Sequence, residues 1–173
     1  APGMRLFYGI PLSEAARAAL GEHLDELAKS RTRMTLTKRE NLHITLLFLG
    51  EQEDASKFIE ALDAVPKGAF PVAVTGFGAF PSAERARVVW AGVSPEERVI
   101  NIHEVICQKL GTREPEYKPH VTLARLKDRP DGVVDKLLAE KADIPVDVSC
   151  VQLLESTLSP EGPEYKVLHE VRL

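Results

Sequence analysis

The spacing of apolar residues switches repeatedly between two periods along the chain, and each switch marks an element. Met4 to Leu12 is an apolar, β-prone run closed by Pro11, which predicts an opening strand. Ser13 then offers an N-cap, and Leu20, Leu24 and Leu27 recur at helical spacing, so a helix is expected from Glu14 to Lys29. Arg33 to Thr37 reads as a short strand and Leu42 to Leu49 as a stronger one closed by Gly50. Phe58, Ile59, Leu62 and Val65 restore the helical period over Asp54 to Val65, which Pro66-Lys67-Gly68 stops. Phe70 to Phe80 and Arg87 to Val93 predict a hairpin about the turn at Pro81-Ser82-Ala83-Glu84. Ser94-Pro95 supplies a cap and a first-turn proline for a helix ending at Leu110, with Gly111 as its C-cap. His120 to Leu126 reads as a strand and Val133 to Lys141 as a helix; Val146 to Leu158 and Tyr165 to Val171 read as two long closing strands. Hairpin signals outnumber crossovers, which favours an α+β class with antiparallel sheets. No linker or low-complexity segment divides the chain, so one domain is expected over residues 1–173.

Composition narrows the class. At 173 residues, 44% hydrophobic and 28% charged, the chain can bury a sizeable core and does not read as disordered, collagen-like or coiled-coil. No apolar run reaches the roughly 20 residues of a bilayer-crossing helix, and the N-terminus lacks a secretory signal pattern, so no membrane partner is expected. Ala1-Pro2-Gly3 before Met4 is set aside from the fold argument. Cys107 and Cys150 could make at most one bridge, which suits a reducing, cytoplasmic setting. Asp+Glu (26) exceed Lys+Arg (22), which argues against a long basic groove on duplex nucleic acid. A small anionic ligand held by a few residues fits that balance, and a monomer is the default expectation.

One short repeat carries chemistry. Asn41-Leu42-His43-Ile44-Thr45-Leu46 matches Lys118-Pro119-His120-Val121-Thr122-Leu123 in the second half. Two independent His-apolar-Thr-Leu matches should arise by chance on the order of once in ten thousand such sequences. In a strand, alternate side chains share a face, so His43 and Thr45 point one way while Leu42, Ile44 and Leu46 point into a core. His120 and Thr122 stand likewise against Val121 and Leu123. Packing alone would keep the apolar positions and has no reason to keep both His and Thr. If approximate two-fold symmetry relates the halves, two imidazoles and two hydroxyls converge on one cleft. Such a set suits phosphodiester hydrolysis, where water loses a proton as the leaving alkoxide gains one. The threonine hydroxyls and a cation would steady the charge on the phosphoryl oxygens, and Arg125 has the planar fork that matches phosphate. Strict alternation puts Arg125 on the face opposite His120, so a bulge or the strand's end must turn it.

The paired His-x-Thr motifs resemble those of the two-histidine phosphoesterase superfamily, and more closely the bacterial and archaeal RNA 2′,3′-cyclic phosphodiesterases long called 2′-5′ RNA ligases. Arg5-Leu6-Phe7, Phe48-Leu49-Gly50, Val89-Trp90-Ala91-Gly92, His120 through Arg125, Ser156-x-Leu158 and Gly162-Pro163-x-Tyr165 extend the likeness over nearly the whole chain. Tyr8 and Gly9 stand where smaller apolar residues are expected, which bears on packing. The resemblance implies a bilobal α+β fold, pseudo-two-fold duplicated, with two antiparallel sheets facing a central cleft and helices outside. It also implies metal-independent, cofactor-free hydrolysis of RNA 2′,3′-cyclic phosphate ends to 2′-phosphomonoesters, with reverse joining to a 5′-hydroxyl. The residues alone leave the polarity of the pair open. The resemblance makes His43 the proton donor to the 3′ oxygen and His120 the acceptor from water, with Thr45, Thr122 and Arg125 on the phosphoryl group. Cyclic phosphates on mononucleotides or ADP-ribose are the rival substrates, and a non-catalytic nucleotide-binding module is the rival class.

The remaining candidates are weaker. Phe7 and Tyr165 could stack on a base, though core or rim packing is the commoner role for such residues. His23, His103 and His169 have no partner motif, and no zinc-type spacing of His or Cys occurs, so no metal site is expected. Trp90 reads as core. Lys29, Arg31, Arg33, Lys38 and Arg39 form a basic stretch that could guide an RNA end toward the first motif.

Overall fold

The computed structural model describes residues 3–173, and strands and helices alternate through most of them. In chain order they are β1 (Met4–Pro11), α1 (Glu14–Leu27), β2 (Met34–Leu36), β3 (His43–Gln52), α2 (Ser56–Ala61), β4 (Phe70–Phe80) and β5 (Val88–Ser94). Then follow α3 (Glu97–Leu110), β6 (His120–Leu126), α4 (Gly132–Ala139), β7 (Lys141–Val148), β8 (Cys150–Ser159) and β9 (Gly162–Arg172). The mixed α and β content and the antiparallel pairing are as the pattern predicts. Where two sheets were expected, hydrogen bonding joins the strands into one, in the order β7-β4-β5-β6-β3-β1-β8-β9, with β2 beside β6. The join is narrow. β3 and β6 meet only at Ile44↔Val121 and Thr45↔His120, so the junction separates a wing of five strands, β7-β4-β5-β6 with β2, from a wing of four, β3-β1-β8-β9.

The helices interlock the wings. Ser13 caps α1 by accepting the Ala16 N–H at 3.2 Å, and Leu20, Leu24 and Leu27 are buried. α1 follows a strand of one wing yet packs on α4 and β7 of the other, while α2 packs on α3. Tyr8, fully buried in β1, donates its hydroxyl to the Phe58 carbonyl at 2.6 Å and ties α2 to the sheet. The larger residue at this position therefore fills space and satisfies a polar group together. Tyr8→Phe is expected to cost about 1 kcal/mol of stability, read as a lower denaturant midpoint at unchanged slope.

Several boundaries differ from the sequence reading for physical reasons. Gly50 does not close β3; it sits within the strand at φ 69°, where Leu6↔Gly50 gives way to Phe7↔Phe48 and Leu49 is left without a partner. Ser94 ends β5 and does not cap α3; Glu96 occupies the cap position without a side-chain cap bond. Gly111 does take the left-handed C-cap conformation, φ 71°. The run read as one strand from Val146 to Leu158 is two, because β7 pairs with β4 in one wing and β8 with β1 in the other. α4 ends at Ala139, before the predicted Lys141, since Glu140 is already extended and Lys141 opens β7. Pro145 lies in β7, an edge strand, where proline is tolerated.

Candidate active site

β3 and β6 repeat each other beyond the shared letters. From His43 to Phe48 and from His120 to Arg125 the residues run half-buried, buried, half-buried, buried, buried, exposed. The doubled buried step is a bulge in each strand. Opposite β3 the register passes from Gly9↔Thr45 to Tyr8↔Leu47, leaving Leu46 unpaired. Opposite β6 it passes from Trp90↔Thr122 to Val89↔Ala124, leaving Leu123 unpaired. Each bulge shifts the alternation by one residue, so Phe48 and Arg125 turn onto the face that carries His and Thr. Arg125 thereby reaches the cleft in the way its position demanded.

The predicted residues come together. His43, Thr45, Thr122, Arg125, Phe7 and Tyr165 line one cavity of about 270 Å³. His120 faces Thr45 across the β3–β6 junction and lines an adjoining cavity of about 420 Å³, which also takes in Thr45 and Phe48. Phe7 is only 6% exposed, 4.8 Å from the Tyr165 ring and 6.0 Å from Phe48, whereas Phe48 is 61% exposed. The open ring face in this aromatic group is therefore Phe48, which the sequence reading did not single out. Its signal was positional: it stands five residues after His43, as Arg125 stands after His120.

The two histidines have unlike surroundings. His43 Nδ1 lies 3.0 Å from the Asn41 carbonyl and Nε2 lies 3.3 Å from Gln152 Oε1. Gln152 donates its amide nitrogen to Glu170 Oε1 at 2.8 Å, which leaves its oxygen facing the imidazole. Both ring nitrogens of His43 thus face acceptors. His120 Nδ1 donates to the Lys118 carbonyl at 2.7 Å, which keeps the Nε2 lone pair available. Burial is the main cause that pulls both histidines below the ordinary value. For His43 the Asn41 and Gln152 bonds oppose that shift and Arg17 adds to it. For His120 the Lys118 carbonyl opposes it, and the charges of Arg125 and Lys118 deepen it.

Other side chains hold this face in place. Tyr117 donates its hydroxyl to the Thr45 carbonyl at 2.6 Å where β3 and β6 part, and its ring stacks on buried His103 at 3.9 Å. His103 in turn lies 2.9 Å from Glu114 Oε1, a packed role. Trp90 is half-buried on the cleft side, 6.4 Å from the His120 ring; a Cβ on Gly78 would sit within the indole's space. Of the basic stretch, Lys38 lines the cavity, while Arg33 pairs with Asp128 and Arg39 with Asp25. His23, Glu26 and Glu140 form one group with metal-ligand spacing, and none of them lines these cavities. Both cysteines are free and buried. Among the described residues no helix is long and apolar enough to cross a membrane.

A family model described as the 2′-5′ RNA ligase superfamily matches residues 13–159. The chain belongs to that superfamily. Its relatives include the RNA 2′,3′-cyclic phosphodiesterase of Thermotoga maritima, 33% identical over 96% of this chain and 94% of that protein. The RNA 2′,3′-cyclic phosphodiesterase of Aeropyrum pernix is 38% identical over 86% of this chain and 91% of its own. Among solved structures, TT0787 of Thermus thermophilus superimposes with a TM-score of 0.83 at 28% identity, covering 98% of both chains. E. coli LigT, solved with 3′-AMP, gives 0.74 at 22% identity and shares the fold of this 2′-5′ RNA ligase superfamily member.

Proposed function

We propose that the protein hydrolyses RNA 2′,3′-cyclic phosphate ends to 2′-phosphomonoesters through paired acid-base catalysis by His43 and His120. The observation that carries this reading is the junction of β3 and β6, where two strands of equal phase and equal bulge set His43, Thr45, Thr122 and Arg125 in one cavity and His120 in an adjoining one that shares Thr45 and Phe48. The curated relatives' activity, at 33% and 38% identity over most of the chain, supports the substrate class. The repeated strand-helix-strand units β1-α1-β3 and β5-α3-β6 support a pseudo-two-fold duplication and a single domain over 1–173, whose first two residues lie outside those described.

The surroundings of each imidazole assign its part. His120, protonated at Nδ1 and flanked by cations, takes the proton from water. His43, with both nitrogens against acceptors, carries the proton that the 3′ oxygen receives. Water attacks phosphorus in line as the P–O3′ bond breaks, and the phosphate stays on the 2′ oxygen. Thr45, Thr122 and Arg125 take the phosphoryl oxygens, and Phe48 offers its exposed face to the base. Run backwards, the same pair joins a 2′,3′-cyclic end to a 5′-hydroxyl.

Turnover of a short RNA ending in a 2′,3′-cyclic phosphate, in the presence of chelator, tests this. Ring opening is expected; no opening of any cyclic phosphate would sink the proposal. The pH profile adds detail. The rate needs His120 neutral and His43 protonated, and both are pulled down. The kcat/KM bell is therefore expected to lose its alkaline side below about pH 6.5, the ordinary histidine value. Bound phosphate favours the charged imidazole, so the kcat bell should lie at higher pH. A kcat/KM that keeps rising past neutrality would contradict the assignment.

A further inference from the structure

On the His43 side, the central cavity continues into a second one of about 510 Å³, and the two share Lys38, Asn41, His43, Pro163 and Tyr165. Arg17 on α1 and Lys38 face this space. Arg17 is half-buried, and among the described residues neither it nor Lys38 pairs with a carboxylate. A partly desolvated guanidinium without a counter-charge is relieved by an anion, and its fork suits phosphate. Glu40 and Glu164 also line the space, but both are exposed and screened by water, so they weaken any long-range pull more than a direct contact at Arg17. The cavity on the His120 side differs in chemistry. There Phe48 and Phe80 present rings, Glu114 and Glu116 also line the space, and Lys118 already pairs with Glu96 at 3.6 Å.

A cyclic-phosphate terminus has a matching asymmetry. The 3′ oxygen is borne by C3′, whose neighbour C4′ carries C5′ and, in RNA, the next phosphate toward the 5′ end. The 2′ oxygen is borne by C2′, whose neighbour C1′ carries the base. With the 3′ oxygen against His43, the chain leaves toward Arg17 and Lys38, and the base lies toward Phe48. We infer that Arg17, helped by Lys38, binds the internucleotide phosphate immediately upstream of the cyclic terminus, so that the site selects RNA ends over cyclic mononucleotides. The inference rests on the proposed function and goes beyond it by fixing the direction in which RNA crosses the cleft.

The test compares three substrates: a 2′,3′-cyclic mononucleotide, a dinucleotide with the same terminus, and that dinucleotide with a neutral methylphosphonate linkage. The native protein is expected to show kcat/KM about tenfold higher on the charged dinucleotide than on the neutral one, mostly through KM. Arg17→Gln should bring the two within about twofold, because one charge-assisted contact accounts for the difference. Equal kcat/KM on the two linkages by the native protein would overturn the inference while leaving the proposed function standing, and this arm needs no variant to fold. An undiminished preference in Arg17→Gln would overturn it as well. Failure to open all three substrates would overturn the proposed function and the inference with it.

Discussion

Replacing His120 with alanine is expected to lower kcat by about 10³-fold while the fold persists, because a positioned general base contributes about 10² to 10⁴. His120 is half-buried at the cleft face of β6, where its Nδ1 bond to Lys118 orients it; its apolar neighbours Val121 and Leu123 supply the packing. His43→Ala should cost a similar factor, since the leaving 3′ oxygen would depart as an unprotonated alkoxide. The double variant should be little worse than either single one, because the two proton transfers serve one displacement. Steady-state kinetics on one cyclic dinucleotide, with thermal melts to verify folding, read all three. Near-native kcat in either single variant would remove that histidine from the mechanism.

The second large effect belongs to Arg125. The bulge at Leu123 turns this guanidinium into the cavity that holds both threonines, where the proposed mechanism places the growing negative charge of the phosphoryl oxygens. Arg125→Gln is expected to lower kcat about 10²-fold, the scale of losing one preorganised donor, and Arg125→Lys should recover only part of it. The substitution carries a second signature. Arg125 is one of the charges that depress His120, so its removal raises that histidine's affinity for protons. The acid limb, below which His120 is protonated and idle, should therefore move to higher pH in Arg125→Gln. A uniform loss of rate with an unmoved acid limb would mean that Arg125 does not face His120 in solution.

How far the site was legible depended on whether its signal was local. His43, Thr45, His120 and Thr122 could be read because alternation against buried Leu42, Ile44, Val121 and Leu123 assigns faces from spacing alone. Arg125 could be read only with an added bulge, since strict alternation put it on the wrong face. Phe48 stayed hidden because Leu47-Phe48 and Ala124-Arg125 share no letters, although the two strands share the bulge that orients them. Gln152 reaches His43 from β8, and Tyr117 reaches Thr45 from the loop before β6; neither contact leaves a trace in sequence spacing. The break at Ser149 was invisible for a related reason. Both sides of it are β-prone, and only the assignment of β7 and β8 to different wings ends one strand and begins another.

In the proposed mechanism His43 faces the 3′ oxygen while His120 activates water on the opposite side of phosphorus. The most direct test of that placement is the position of the phosphate in the product, read by phosphorus NMR after the protein has opened an RNA 2′,3′-cyclic phosphate. The arrangement predicts a 2′-phosphomonoester from the native protein and about 10³-fold slower formation of it by His43→Ala or His120→Ala. A 3′-phosphomonoester would contradict it, because the 2′ oxygen would then be the group that leaves.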